Sequence, residues 1–292
     1  LALSVGTLVR QGGMISLTQT AFFGAAGYII GLLGVERGWV FPLPELIAIL
    51  GVLLMAFILG LVVMRTHGTV FLMLTLALGQ ICWAFARQNT SLLHGWAGIR
   101  GFRPFTVLGI DFTNPNNYYW GALALLLLGL FVLWLITNSP FGLALNGIRE
   151  SPKRMASLGY PVYWLRVILF VITALYACVG GIISVYATGI ITPTTIQMSR
   201  TILILLMVIL GGSRYFWGPV VGAVIAVWLD VLISQMTPRY NTVIGLIFVA
   251  VVVLAPNGII GLLDDIRNGV KLPQLKRWWN SISAKQSRDS SV

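Results

Sequence analysis

The sequence predicts an all-α fold: a polytopic integral membrane bundle of about eight transmembrane helices with a short cytoplasmic helix. Three observations predict it. Of 292 residues, 58% are hydrophobic and only 9% are charged, where a soluble domain carries about 25% charged residues. The charges leave long empty intervals, at 11–35, 46–64, 68–86, 112–148, 167–199 and 240–263, and a helix crossing the hydrocarbon needs roughly 20 apolar residues. The basic residues between these intervals fall unequally on the two sides that such a chain would define.

The spans fall at about 14–34, 46–64, 69–86, 118–137, 164–187, 195–212, 217–235 and 241–258. The charge-free stretches 201–213 and 215–229 are short, which implies tilted or partly buried helices. Loop-like segments separate the spans: Glu36-Arg37-Gly38, Arg65-Thr66-His67-Gly68, Asn114-Pro115-Asn116-Asn117 and Thr237-Pro238. One side collects 13 Lys and Arg, including Arg10, Arg65, Arg149, Lys153, Arg154, Arg166 and Arg214; the other collects 6. The positive-inside rule makes the richer side cytoplasmic, with both termini inside. Tyr118, Tyr119, Trp120 and Trp217 open spans where amphipathic rings favour the interface. Residues 1–9 are apolar, read either as the end of a preceding span or as an amphipathic lead-in, and no cleavable signal peptide is apparent.

The chemistry absent from the chain narrows its function. Cys82 and Cys178 each fall inside a span and read as small buried residues. His67 and His94 fall on opposite sides, so they form no metal pair. There is no phosphate-binding G-x-x-x-x-G-K-[ST] loop. No enzyme, metal or cofactor site is expected in this chain. Ion-driven transporters carry ionisable groups inside their spans, and here the acid within a span is Asp230. It either takes a local partner at the bundle face or lines a substrate path. Gly27/Gly31 and Gly218/Gly222 form G-x-x-x-G pairs, and Gly180-Gly181 and Gly211-Gly212 are adjacent. Such glycines let helices approach closely; broken-helix substrate contacts are the other reading.

The segment 138–163 carries the most local information. Ser151 can cap a helix, Pro152 fits its first position, and Gly159 fits the position after its last turn. A helix over about 152–158 follows. Met155, Ala156 and Leu158 give it an apolar patch, and Arg149, Lys153 and Arg154 a basic face. Two turns are marginal in water, so the helix needs something to pack on.

The series Gly142…Ile148-Arg149-Glu150-Ser151-Pro152…Ala156…Leu158-Gly159-Tyr160 resembles the cytoplasmic loop of bacterial branched-chain amino acid ABC importer permeases of the LivM type. The resemblance continues through Gly180-Gly181, Pro193, Met207–Gly212, Trp217–Ala223 and Pro256-Asn257-Gly258, and begins at Ser16-Leu17…Tyr28. It covers the chain to about residue 263. It implies a transmembrane permease domain over 1–263, with a coupling loop at 138–163 and an external loop at 87–117. It implies an ATPase-coupling site of Arg149, Glu150, Ser151, Pro152, Met155, Ala156, Leu158 and Gly159, and a substrate pathway past Gly180, Gly181, Gly211, Gly212 and Asp230. The implied partners are a second homologous permease of the LivH type, two cytoplasmic ATPases that hydrolyse ATP with Mg, a secreted substrate-binding protein and the lipid bilayer. Departures from the pattern include Gly95-Trp96-Ala97-Gly98 in place of a more glycine-rich loop, and Arg200 and Leu203 near a position usually acidic.

Two rival classes are an ion-coupled secondary transporter or channel, and a membrane scaffold without an aqueous path; an ABC importer for urea or short amides is a variant of the main reading. The 87–117 loop either touches the binding protein or folds back over an external cavity. Residues 264–292 read as a basic cytoplasmic tail carrying Trp278 and Trp279, lying on the leaflet or disordered. The net charge of +11 is therefore an orientation signal and no sign of nucleic-acid binding.

Overall fold

The structure is a computed structural model that describes residues 1–102, 106–107, 110–236, 245–246, 248 and 258–261. Its helices are α1 (Ala2–Gly12), α2 (Gln19–Ile30, continued by a π-helical turn Gly31–Glu36), α3 (Leu43–Val63), α4 (Thr69–Gln88), α5 (Thr90–Leu93), α6 (Pro115–Asn138), α7 (Pro140–Glu150), α8 (Pro152–Ser157), α9 (Val162–Thr188), α10 (Met198–Gly211) and α11 (Gly218–Met236). Four of these, α3, α4, α6 and α9, are long and apolar enough to cross a membrane, and α10 and α11 are shorter apolar helices. The expected spans at 46–64, 69–86, 118–137, 164–187, 195–212 and 217–235 each correspond to one helix. The expected span at 241–258 and the tail at 264–292 lie outside the described residues, apart from isolated positions of the former.

Two expectations are corrected. The span at 14–34 starts later than expected: residues 13–18 are non-helical, and α2 with its π-helical continuation covers 19–36. The segment 138–163 holds two helices, because Ser139-Pro140 repeats the cap grammar of Ser151-Pro152; Ser139 Oγ accepts from the Gly142 amide at 3.4 Å.

The chain divides into two compact units, Leu1–Leu205 and Leu206–Val292. In the first, α9 is the central post, packed on α1, α2 and α3 and touched by α6, α7 and α8. The helices follow a rule suited to lipid, where no hydrophobic effect drives helices together and close backbone packing decides the contacts. Along α3 the buried stripe is Glu45, Ala48, Val52, Ala56, Gly60 and Val63, while Leu46, Leu50, Leu54, Phe57 and Ile58 are exposed. Large residues face outward and small ones inward, the reverse of a soluble helix. Phe22 fills the space left at the centre, edge-on to Phe170 at 5.5 Å.

Two short strands close the end of this unit opposite α7 and α8. β1 (Ile99–Arg100) pairs antiparallel with β4 (Ile190–Ile191), and Phe102 meets Tyr186 edge-on at 6.4 Å. β2 (Thr106–Val107) pairs with β3 (Ile110–Asp111). The described part of the 87–117 loop thus folds back onto the end of α9. Beside it, His94 Nε2 meets the Glu36 carboxylate at 2.8 Å.

In the second unit, α11 lies backbone to backbone against the last residues of α10. A Cβ on Gly222 would stand 1.9 Å from the Met207 carbonyl oxygen, and one on Gly211 would stand 1.8 Å from that of Gly218. Leu210, Ala226 and Phe248 form its small core.

In α9, a Cβ on Gly181 would stand 2.2 Å from the Phe23 carbonyl oxygen, whereas one on Gly180 would make ordinary contacts at 3.5 Å and beyond. Gly181→Val should therefore destabilise the protein by roughly 1–3 kcal/mol through overpacking, while Gly180→Ala should be neutral or mildly stabilising. Thermal unfolding of the two variants in detergent checks the contrast; equal melting temperatures would refute the close α2–α9 contact.

Candidate functional site

Two features of the first unit stand apart from ordinary helix packing. The first is the basic ledge formed by α7 and α8. Leu145 and Ile148 are buried and hold α7 against the bundle. Ser151 Oγ accepts from the Arg154 amide at 3.4 Å and starts α8. The helix ends in a Schellman motif: Gly159 takes φ +86°, its amide donates to the Ala156 carbonyl at 3.0 Å, and the Tyr160 amide donates to the Met155 carbonyl at 3.1 Å. Met155 turns back on α7, where a Cβ on Gly147 would stand 2.8 Å from its sulfur. That contact fastens a two-turn helix that could not stand alone.

The eight residues expected to act together divide into three groups. Arg149 and Met155 are engaged within the protein. Arg149 Nη1 donates to the Arg10 carbonyl at 2.7 Å, and its stem covers Gly13, whose Cβ would lie 3.0 Å from Arg149 Cγ. A guanidinium at this place satisfies a carbonyl in the last turn of α1 and opposes the negative end of its dipole. Burial first, and the Arg149 charge second, lower the pKa of Arg10. Ser151 and Pro152 are half-buried at the corner between the two helices. Glu150, Ala156, Leu158 and Gly159 face outward with Lys153, Arg154 and Tyr160; Leu158 is 67% exposed. The outward surface combines two cations with an aliphatic and an aromatic side chain on a fixed helix.

The second feature is the break between α1 and α2, which the sequence reading missed. Gly13, at φ +63°, ends α1. The chain then rises in irregular conformation to Thr18, where α2 starts near the level of Thr173, close to the middle of α9. The Gly13 and Met14 amides donate back to α1 carbonyls, and two hydroxyl groups take further amides of the stretch. Thr75 Oγ1 accepts from the Leu17 amide at 3.3 Å, Ser16 Oγ accepts from the Thr18 amide at 3.3 Å, and the Ser16 and Thr18 hydroxyls lie 3.0 Å apart. Gln19 Nε2 donates to Thr173 Oγ1 at 3.2 Å, and its Oε1 accepts from Ser4 at 2.8 Å. Thr20 and Thr201 share a bond of 2.6 Å. Leu17, Gly79, Gln80, Ile196 and Thr201 line a small cavity beside the break. Irregular backbone at membrane depth persists only where protein buries it or where it lines a water-filled space. The arrangement offers hydroxyls, amides and the positive end of α2 to a polar solute without placing a fixed charge there. The signal in the sequence was the polar run Ser16-Leu17-Thr18-Gln19-Thr20 inside a charge-free interval.

The residues expected on a substrate pathway belong to both units. Gly180 and Gly181 face Phe23 of α2. Gly211 and Gly212 lie in the second unit, at the turn into α11 where Gly212 takes φ +101°, and Asp230 is exposed on α11. Among the described residues no group of three His, Cys, Asp or Glu could hold a metal ion.

Thr75→Val should leave the buried Leu17 amide without an acceptor at a cost of about 1–3 kcal/mol, while Thr75→Ser should keep it. A lower melting temperature for the valine variant alone is the expected result, and equal melting of both would show that this bond does not hold the break.

The family described as "branched-chain amino acid transport system / permease component" matches residues 1–255. Among curated proteins, the chain is similar to the "high-affinity branched-chain amino acid transport system permease protein LivM" of Salmonella typhimurium, 24% identical over 287 residues, which covers 89% of this chain and 67% of the relative. It is equally similar to the protein of the same description from Escherichia coli K12, 24% identical over 283 residues with the same coverage. No solved structure matches the chain.

Proposed function

The chain belongs to the permease-component family of branched-chain amino acid transport systems, and we propose that it is a membrane subunit of an ATP-driven importer for branched-chain or related amino acids. In this reading a secreted binding protein delivers the solute from outside. A second homologous permease of the LivH type completes the pathway, and two cytoplasmic ATPases bind and hydrolyse ATP with Mg. The ledge side faces the cytoplasm of a bacterial inner membrane, with the C-terminus on the same side.

The observation that carries the reading is α8, a two-turn helix fixed at both ends that presents Lys153, Arg154, Leu158 and Tyr160 outward. A mobile loop could not transmit force; a helix capped by Ser151, closed by Gly159 and keyed into Gly147 through Met155 can. Its exposed surface suits a cleft with acidic and apolar walls on an ATPase. Closure of the ATPases would displace α8 and, with it, α7. The Arg149 bond to the Arg10 carbonyl then carries the displacement into the C-terminal end of α1, immediately before the break at 13–18. The hydroxyl-lined break lies at the level where a solute halfway across would meet it, and half-helix ends serve solutes in this way elsewhere. ATP binding would thus bias two states of the break, which is the thermodynamic requirement for driven transport.

The rival reading, an ion-coupled transporter, predicts uptake without ATPases. Gly159→Val opposes a left-handed backbone by roughly 1–2 kcal/mol and should open the end of α8. The complex reconstituted in liposomes should still assemble and contain ATPase, but ATP-driven leucine uptake should fall about tenfold or more, since each 1.4 kcal/mol corresponds to a factor of ten. Full uptake by this variant would remove α8 from the coupling role, and uptake by the wild-type permease without ATPases would overturn the importer reading.

A further inference from the structure

Glu45 borders the charge-free interval 46–64, and the structure buries it. Its residue is 7% exposed in the first turn of α3. The Tyr186 hydroxyl of α9 donates to Oε1, while Oε2 is buried with no hydrogen-bond partner. The usual reasons for an acid at this place fail. Glu45 stands three residues after the cap position Pro42, from which a glutamate normally reaches back to the cap amide; Pro42 has no amide, and neither has Pro44. No Lys, Arg or His among the described residues forms an ion pair with it. The first turn of α3 supplies no donor to Oε2.

The surroundings are apolar. Ala48, Tyr28, Ile99 and Phe102 belong to one buried cluster against which Tyr186 packs. The Tyr28 hydroxyl in that cluster is itself buried without a partner. A carboxyl oxygen and a phenol hydroxyl, each without a hydrogen-bond partner, therefore stand beside one apolar cluster, and no cation among the described residues pairs with either. Ionisable groups inside a membrane bundle are expensive and are kept where they serve a solute or ion.

We propose that Glu45 binds the ammonium group of the transported amino acid at this end of the pathway, with Tyr186 positioning its carboxylate. A primary ammonium has three donors and a full charge, which matches a buried acceptor oxygen that has no donor within the protein and forms the stronger, charge-assisted bond. The proposal rests on the amino-acid reading given above. It explains why an acid is tolerated here: the solute brings the missing counter-charge and leaves with it.

The test uses the complete permease–ATPase complex in detergent without the binding protein, so that selectivity is the permease's own. Leucine and its des-amino analogue 4-methylpentanoate are the probes. The wild type should bind leucine more tightly. Glu45→Gln should weaken leucine by about 30-fold or more, the usual result of truncating one partner of a buried charge pair. It should leave the analogue unchanged, and Glu45→Asp should restore part of the preference. Tyr186→Phe should reduce the preference less than Glu45→Gln does. A merely structural role would lower the melting temperature of Glu45→Gln yet leave the ratio between the probes as in the wild type; that result overturns the proposal. Leucine uptake by wild-type proteoliposomes is measured in parallel: uptake with no loss of discrimination in Glu45→Gln refutes Glu45 alone, whereas no uptake of any amino acid by the wild type refutes the transport reading and this inference with it.

Discussion

Every backbone amide and carbonyl that enters the hydrocarbon must find its partner within the protein, and this requirement governs the rest of the structure. Regular helices meet it automatically. The six residues 13–18 do not, and the protein answers with one hydroxyl from a distant helix and one from the stretch itself. Thr75 of α4 and Ser16 accept amide protons of the irregular stretch, while Gln19 is fixed between Ser4 of α1 and Thr173 of α9. A buried donor left unmade costs more than an ordinary hydrogen bond contributes. These hydroxyls therefore help to stabilise the break. The same groups present polar atoms to a solute, so stability and function draw on one set of residues.

Close helix packing is the second consequence. The α2–α9 contact is an approach of backbones, with Phe23 carbonyl oxygen facing Gly181 and Val185 facing Gly27. This geometry places Ser4, Gln19 and Thr173 within hydrogen-bonding distance of one another. It also turns large aliphatic side chains outward, so that α3 and α6 present Leu, Ile and Phe to lipid. The bundle is thus specified by where bulk is absent. Gly180 and Gly181, adjacent in sequence, differ in this respect, since only the second opposes a backbone oxygen.

Much of this was legible in the sequence, and the illegible parts share a cause. The spans at α3, α4, α6 and α9 follow from apolar length alone. The ends of α8 follow from Ser151, Pro152 and Gly159, whose effects are local. The break at 13–18 did not show because a charge-free run reads the same whether its backbone is helical or not; the acceptor that permits the break, Thr75, lies 58 residues away. The burial of Glu45 did not show because its partner, Tyr186, lies 141 residues away. The helix α7 was legible in principle, through Ser139-Pro140, but its amphipathic stripe of Ala144, Leu145 and Ile148 is short and needs the bundle to bury it. Nonlocal polar contacts are what the sequence hides, and they are concentrated where the chain departs from plain helix.

Asp230 brings the same constraint to the second unit. It lies well inside α11, flanked by the exposed Val227, Trp228 and Val231, and is itself exposed. A carboxylate there cannot remain against hydrocarbon without a heavy penalty. Its neighbours, however, are as apolar as any lipid-facing surface of the chain. The two facts are compatible if this face of α11 meets protein over part of its height, with a polar group supplied opposite Asp230. The alternative, a water-filled path along α11, would expose Trp228 and Val231 to water as well as Asp230, which the apolar character of that face disfavours.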